Sequence, residues 1–331
     1  MKPDQKAFRL GSLVLIGAVF LRLLGGFWEA SPQISPKARI AQCLLFLQTG
    51  RLADTQVLHI SQESPPTQAT DPPVPTQQPL PAAVTFAPEQ AASVQFRNTT
   101  DREPDTAALL TQPLNWDLTG SAPTVLILHT HGTESYAGTE NFRSTEETQN
   151  MLCVGDRLTA RLEAQGISVL HDRTLHDQVS YSGSYAYARQ TLEQYLSQYP
   201  SIRLVLDVHR DAAEDASGNQ IDYTIATPAG EAAKLMLVMG TDAGGMSHPA
   251  WQENLALAVK LQVSLENICP EICRPIYLRT SRFNQDLSPG ALLIEIGAAG
   301  NSLDEALLSA DILADGIIAL RYGANLTTTG T

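Results

Sequence analysis

Three apolar runs of the sequence lead into histidine or carboxylate side chains. The run TVLIL precedes His131, the run IRLVLDV precedes His209, and the run ALLIEIG contains Glu295. Two histidines and a carboxylate around an open coordination position make a hydrolytic zinc site, in which the metal polarises a carbonyl and acidifies a bound water. A further glutamate then serves as general base and acid. These residue types therefore indicate metal-assisted hydrolysis.

The two histidine ligands predicted by this pattern are His131 and His209, and Zn2+ is the metal that such a set favours. The third ligand should be an acidic residue close to the first histidine. Glu134, Glu146 and Glu147 all qualify on sequence position alone.

Other polar residues near these run ends can support a ligand without binding the metal. We expect His129 to fix ligand orientation, and Arg210 and Asp211 follow His209 directly. Ser135 beside a histidine offers serine chemistry as a competitor, but the sequence has no G-x-S-x-G elbow. We expect the remaining candidates to be polar loop residues, namely His171, His176 and His248.

Glu295 lies inside an apolar run, where an ionised carboxylate is costly unless it is paired, bound to a metal or neutralised. This position predicts the general base and acid of the reaction. The alternative is a structural salt bridge, for example to Arg210 or Arg282.

The elements that must position these residues alternate along the chain from Thr124 onward. Strand-like runs are separated by helical periodicity, such as the apolar face of Met151, Val154, Leu158 and Leu162. This alternation predicts an α/β fold, a single three-layer domain over residues 122–326 with a mostly parallel central sheet. Side chains at the carboxyl ends of parallel strands lie on one edge, so they can converge.

The N-terminal segment predicts a membrane anchor. Lys2, Lys6 and Arg9 precede an apolar stretch from Leu10 to Phe27, and no clear A-x-A cleavage pattern follows it. We therefore predict a cytoplasmic N-terminus and a single span over residues 1–30, with the rest of the chain extracytoplasmic at the cell membrane.

Two further segments are predicted outside the catalytic domain. Residues 31–121 contain a helix-like piece, ARIAQCLLFLQTGR, and then a stretch rich in Pro, Gln, Thr and Ala that reads as an extended linker. Residues 327–331 are predicted to be a disordered tail.

Composition excludes some functions. The formal net charge of −13 argues against nucleic-acid binding, which needs a basic surface. The four cysteines are too few for a disulfide framework and match no common zinc spacing, although Cys269 and Cys273 could pair outside the cytoplasm.

Six motifs in order resemble the stage II sporulation protein P family of endospore-forming bacteria. They are HTHGTESY, FRSTEETQNMLCVGDRL, GISVLHDRTLHD, DVHRDA, HPAWQENLALAVKLQ and FNQDLSPGALLIEIG. The resemblance spans about Thr124 to Arg321, and the anchor and linker are also similar. The family looks like a branch of the zinc-dependent N-acetylmuramoyl-L-alanine amidases, which implies an amidase-like fold.

The resemblance also implies an activity and partners. It implies cleavage of peptidoglycan at the amide between the glycan strand and its stem peptide, and at peptide cross-links, while the septal wall is thinned during engulfment in sporulation. The implied partners are a lytic transglycosylase and a membrane scaffold protein.

Residue by residue, the resemblance assigns the site as follows. His131 and His209 match the first and last histidine ligands of the amidases, and Glu295 matches the catalytic glutamate. In the wider amidases a glutamate ligand sits a few residues before an Asn that opens a helix, and Glu146 stands four residues before Asn150, so it is preferred to Glu134. Thr130 stands where the wider amidases usually have Gly.

Two alternatives remain open at this point. One is a wall-binding or scaffolding module that keeps the fold without catalysis, and the other is an exported metallopeptidase that acts on protein. All of the matched ligand and catalytic residues are present, which favours an active peptidoglycan hydrolase.

Overall fold

A computed structural model describes residues 84–326 of the chain. The predicted span at 10–27, the helix-like piece at 38–51 and the tail at 327–331 lie outside the described residues. Within residues 84–326, no helix combines the length and apolar character needed to cross a bilayer.

The strands form one large sheet and two small ones. In chain order they are β1 (Val84–Phe86), β2 (Phe96–Asn98), β3 (Val125–Leu128), β4 (Val169–His171), β5 (Leu204–Asp211), β6 (Thr224–Thr227), β7 (Gly230–Ala233), β8 (Leu235–Gly240), β9 (Ile276–Arg279), β10 (Ala291–Ala298) and β11 (Ala324–Leu326). The large sheet has seven strands in the order β2-β9-β8-β10-β5-β3-β4. Only β8 and β10 pair antiparallel in it, so the predicted, mostly parallel sheet is confirmed.

Helices cover both faces of this sheet, which gives the three predicted layers. They are α1 (Thr106–Thr111), α2 (Met151–Glu163), α3 (Ser184–Gln198), α4 (Trp251–Ile268) and α5 (Leu303–Ala319). Residues of α2, α4 and α5 share one large core with one face of the sheet. On the opposite face, Ala188 and Leu192 of α3 pack with Leu126 and Leu128 of β3.

Helix α2 shows how local sequence fixes an element of this fold. The Asn150 side chain accepts a hydrogen bond from the Leu152 N–H and so caps the helix. The predicted apolar face of Met151, Val154, Leu158 and Leu162 is fully buried. Helix α2 therefore packs its apolar face into the large core.

One sequence expectation differs from the structure. The linker prediction extends too far, because residues 84–121 form β1, β2 and α1, and β2 pairs with β9 of the large sheet. Scattered apolar residues such as Phe86 and Leu110 are buried there, but the surrounding polar and proline-rich composition conceals them in the sequence.

Candidate active site

The candidate site lies at the carboxyl ends of three neighbouring parallel strands, β3, β5 and β10. The register pairs Leu128 with Asp207 and pairs His209 with Glu295. His131 follows β3 and folds back toward β5. Its ring centroid lies 5.3 Å from that of His209, with the two rings nearly perpendicular. The structure thus brings together the two predicted histidine ligands and the predicted base.

Glu134 completes this group. A tight turn, closed by a 3.0 Å hydrogen bond from the Glu134 N–H to the His131 carbonyl, directs the chain back toward β5. The Glu134 carboxylate is buried, with Oε2 3.5 Å from Nδ1 of His209. The same oxygen accepts a 3.3 Å hydrogen bond from the Arg210 N–H.

Glu146, the acidic ligand preferred from the sequence, does not lie with this group in the structure. Its side chain is exposed. Its backbone N–H is held by the Ser144 hydroxyl in the loop before α2. Glu147, the third acidic candidate, is also exposed and pairs with Arg173 at 2.7 Å.

His209 is held between two carboxylates. Its Nε2 atom lies 2.8 Å from Oδ1 of Asp207, but the contact lacks the alignment of a hydrogen bond. Burial opposes a charge on this ring, yet Asp207 and Glu134 outweigh burial and raise the pKa of His209 well above its usual range. Thr130 orients Asp207 by donating from its N–H and its hydroxyl, at 2.8 and 2.6 Å. A threonine in place of the glycine of the wider amidases therefore has a local role.

Burial makes the largest contribution to the pKa shifts of the other site residues. It lowers the pKa of His131, whereas the charge of the nearby Glu134 acts to raise it. It also raises the pKa of Glu295 to about 8, with Glu134 and Asp211 adding to the effect and His209 and Arg210 opposing it. A carboxyl group with such a pKa can exchange a proton near neutral pH.

The salt bridge considered for Glu295 is not formed within the described residues. Arg210 instead directs its guanidinium to Glu134 and to the carbonyls of Ser135 and Phe142. Arg282 pairs with Asp286. Oε2 of Glu295 is buried and has no hydrogen-bond partner.

The donor set fits a zinc ion in its chemistry. Within residues 84–326, Nδ1 of His131 is buried without a hydrogen-bond partner, and buried polar atoms normally have one. Imidazole nitrogen and carboxylate oxygen are the donors that zinc takes in hydrolytic sites. Among residues 84–326, no group of three or more His, Cys, Asp or Glu side chains is arranged so that it could hold a metal ion as it stands.

His129 supports the site from behind. It is fully buried; its Nδ1 contacts the Val208 carbonyl at 2.8 Å, and its Nε2 lies 2.9 Å from Nε2 of His171. His176 is also buried, with Nδ1 3.0 Å from the His129 carbonyl. Both His171 and His176 were expected to be polar loop residues, but they belong to the network behind the site. His248 is also buried, but its two ring nitrogens have no hydrogen-bond partner within residues 84–326.

The remaining polar candidates have structural contacts. Asp211 pairs with Arg274 at 2.8 Å. The Ser135 hydroxyl donates to the Gln149 carbonyl, which gives no support for a serine nucleophile. Cys153, Cys269 and Cys273 are free thiols, so the pairing considered for the last two is not formed.

Aromatic residues that the sequence did not reveal surround His131. The Tyr181 ring stacks on His131 with centroids 4.4 Å apart, and the Tyr185 ring meets it edge-on at 5.6 Å. Asp177 lies 3.9 Å from Nδ1 of His131 and also binds Arg143. No motif indicated Tyr181 or Tyr185, because their approach to His131 depends on how α3 and the loop before it pack against the sheet.

Comparison with known proteins identifies the relatives of this chain. A model of the family "Stage II sporulation protein P (SpoIIP)" matches residues 51–318. The stage II sporulation protein P of Bacillus subtilis (strain 168) is 28% identical over 213 residues, which cover 60% of this chain and 51% of that protein. The match thus spans about half the length of the curated relative.

Solved structures of amidases are similar at a lower level. The N-acetylmuramoyl-L-alanine amidase AmiC2 of Nostoc punctiforme is 15% identical, with a TM-score of 0.37, and covers 61% of this chain and 97% of its own. An N-acetylmuramoyl-L-alanine amidase from Clostridium difficile 630 is 19% identical, with a TM-score of 0.38 and coverages of 60% and 94%. Similarity at this level does not by itself assign a function.

Proposed function

The chain belongs to the stage II sporulation protein P family, and we propose that it is a zinc-dependent peptidoglycan hydrolase active in sporulation. Its bond specificity in this proposal is the amide between muramic acid and L-alanine, together with peptide cross-links. The observation that carries the proposal is the convergence of His131, Glu134 and His209 beside Glu295 at one edge of the sheet.

His131, Glu134 and His209 are the residues that would hold the metal. Zinc, when bound, supplies a Lewis acid that polarises the amide carbonyl and acidifies a water molecule. The protein supplies the orientation, because Asp207 and the turn at Glu134 restrain His209 from two sides. Restraint of this kind commonly fixes the ring orientation of a histidine ligand.

Glu295 would move the proton. Its unpaired Oε2 can accept a proton from the attacking water and then deliver it to the nitrogen of the leaving amine. The buried position raises its pKa to about 8, and a neighbouring cation would lower that pKa toward the base form.

The setting of the enzyme is also proposed. Retention of the 10–27 span would hold the catalytic domain at the outer face of the cell membrane, within reach of glycan strands and stem peptides. A lytic transglycosylase and a membrane scaffold are the partners that the family resemblance implies. A mature chain whose N-terminus begins near Ser31 would instead show that the apolar stretch is a cleaved signal peptide.

The direct test uses the full-length chain purified with zinc and incubated with purified cell-wall sacculi. Mass spectrometry should detect free stem peptides and fragments cleaved at cross-links. His131→Ala and His209→Ala should lose both zinc and activity. Binding to sacculi without any release would favour a catalytically silent wall-binding module, and cleavage of protein alone would favour a metallopeptidase.

A further inference from the structure

Tyr185 is placed at the candidate site by three independent contacts. Its ring meets His131 edge-on at a centroid distance of 5.6 Å and packs against Phe283 at 5.9 Å. Its backbone carbonyl accepts a 2.9 Å hydrogen bond from the Asn284 side chain. Tyr185 is the second residue of α3, so its position is also fixed by the start of that helix.

The loop that holds Tyr185 has an uncommon backbone. Phe283 and Asn284 have φ values of +52° and +57°, in the left-handed region that non-glycine residues seldom adopt. Such conformations cost free energy, and they concentrate at active sites where the surrounding structure enforces them. Here the two residues provide the ring contact and the amide contact to Tyr185.

The hydroxyl of Tyr185 is free to act. Within residues 84–326 it makes no hydrogen bond, and the residue is only partly buried. The Tyr136 hydroxyl, in contrast, donates to the Ile296 carbonyl at 2.9 Å. A tyrosine hydroxyl titrates at about pH 10 in water, so it keeps its proton at neutral pH.

We propose that Tyr185 is a catalytic residue whose hydroxyl donates a hydrogen bond to the carbonyl oxygen of the scissile amide as that oxygen gains negative charge. This inference rests on the proposed function and adds a residue to the same site. The proton stays on the phenol oxygen throughout, and no bond to Tyr185 is formed or broken. A donor fixed in place before the reaction stabilises the charge that develops in the transition state.

The test is Tyr185→Phe in the full-length, zinc-loaded protein, with a soluble disaccharide-peptide as substrate. Phenylalanine keeps the ring that contacts His131 and Phe283 and removes only the hydroxyl. We expect kcat to fall by about 10²–10³-fold, with KM within about threefold and zinc content unchanged. Tyr187→Phe is the matched control, because Tyr187 lies in the same helix and is exposed; it should keep the parental rate.

Three results would overturn this role. If Tyr185→Phe keeps kcat within about threefold of the parent, the hydroxyl is not needed, whatever happens to KM. If kcat falls together with zinc content, Tyr185 supports the ligands and does not act on substrate. If the parent protein itself releases no amine from the substrate, the proposed function fails, and the role of Tyr185 fails with it.

Discussion

His209 of β5 and Glu295 of β10 are register partners on adjacent parallel strands. Paired residues of neighbouring strands present their side chains on the same face of the sheet. This relationship places the predicted proton-transfer group beside a predicted ligand without any contribution from loops. The backbone of the sheet therefore sets the spacing between them.

Glu295→Gln should lower the rate of wall-fragment release by roughly 10²-fold or more, because glutamine keeps the shape but cannot take a proton. Zinc content and thermal unfolding should stay close to those of the parent. Glu231→Gln, at an exposed position of β7, is the control. Loss of zinc from the Glu295 variant would identify this residue as a ligand instead.

Glu134→Gln and Glu146→Gln should separate the two acidic candidates. Glu134→Gln removes a buried carboxylate beside His209. We expect its zinc affinity to fall by about 100-fold or more, because losing a residue that only supports a ligand already costs about 10–100-fold. The second alters an exposed side chain and should leave zinc affinity unchanged. Equilibrium dialysis against a zinc indicator measures the zinc affinity of both variants. A loss of affinity in Glu146→Gln but not in Glu134→Gln would identify Glu146 as the ligand.

Zinc binding should release protons at neutral pH. Asp207 and Glu134 raise the pKa of His209, so without metal its imidazole is protonated at pH 7, and it must lose a proton to bind zinc. Titration calorimetry in buffers of different ionisation enthalpy should show at least about one proton released per zinc. The apparent affinity should increase as pH rises from 6 to about 8. A pH-independent affinity with no proton release would contradict a ligand role for His209.

Lys260 should make stability depend on pH in alkaline solution. It is 1% exposed, donates to the Leu109 carbonyl at 2.6 Å, and burial lowers its pKa from 10.5 to about 8. Between these values the unfolded chain holds a proton that the folded chain lacks, so the contribution of this residue to stability rises with pH. The difference is about 3 kcal/mol across that interval. Lys260→Met should remove this rise in urea denaturation experiments, and an unchanged pH profile would show that the folded pKa is not lowered.

Gly155→Ala should destabilise the protein, although alanine normally favours a helix by about 1 kcal/mol. A Cβ at this position of α2 would lie 2.7 Å from Nε2 of His129 and would also collide with the His171 ring. These rings are paired and buried, so we expect a loss of about 1–3 kcal/mol, the usual range for overpacking. Thermal unfolding measures the change. A higher melting temperature would show that the histidine pair can move aside.

The sequence by itself determined the type of fold and most of the chemistry. Apolar runs and helical periodicity are local patterns that burial imposes directly, so the strand that precedes His131 and the strands that contain His209 and Glu295 were predictable. The convergence of their side chains also followed, because parallel strands place their carboxyl ends on one edge.

Only the tertiary structure decided which acidic residue joins the histidines. Glu134 and Glu146 lie in the same loop region, and their sequence distances from His131 do not say which one folds back. The tight turn at Glu134 buries its carboxylate, whereas Glu146 precedes the capped start of α2 and is exposed to solvent. Tyr185 was hidden for the same reason, since its place beside His131 depends on contacts between segments about 50 residues apart in sequence.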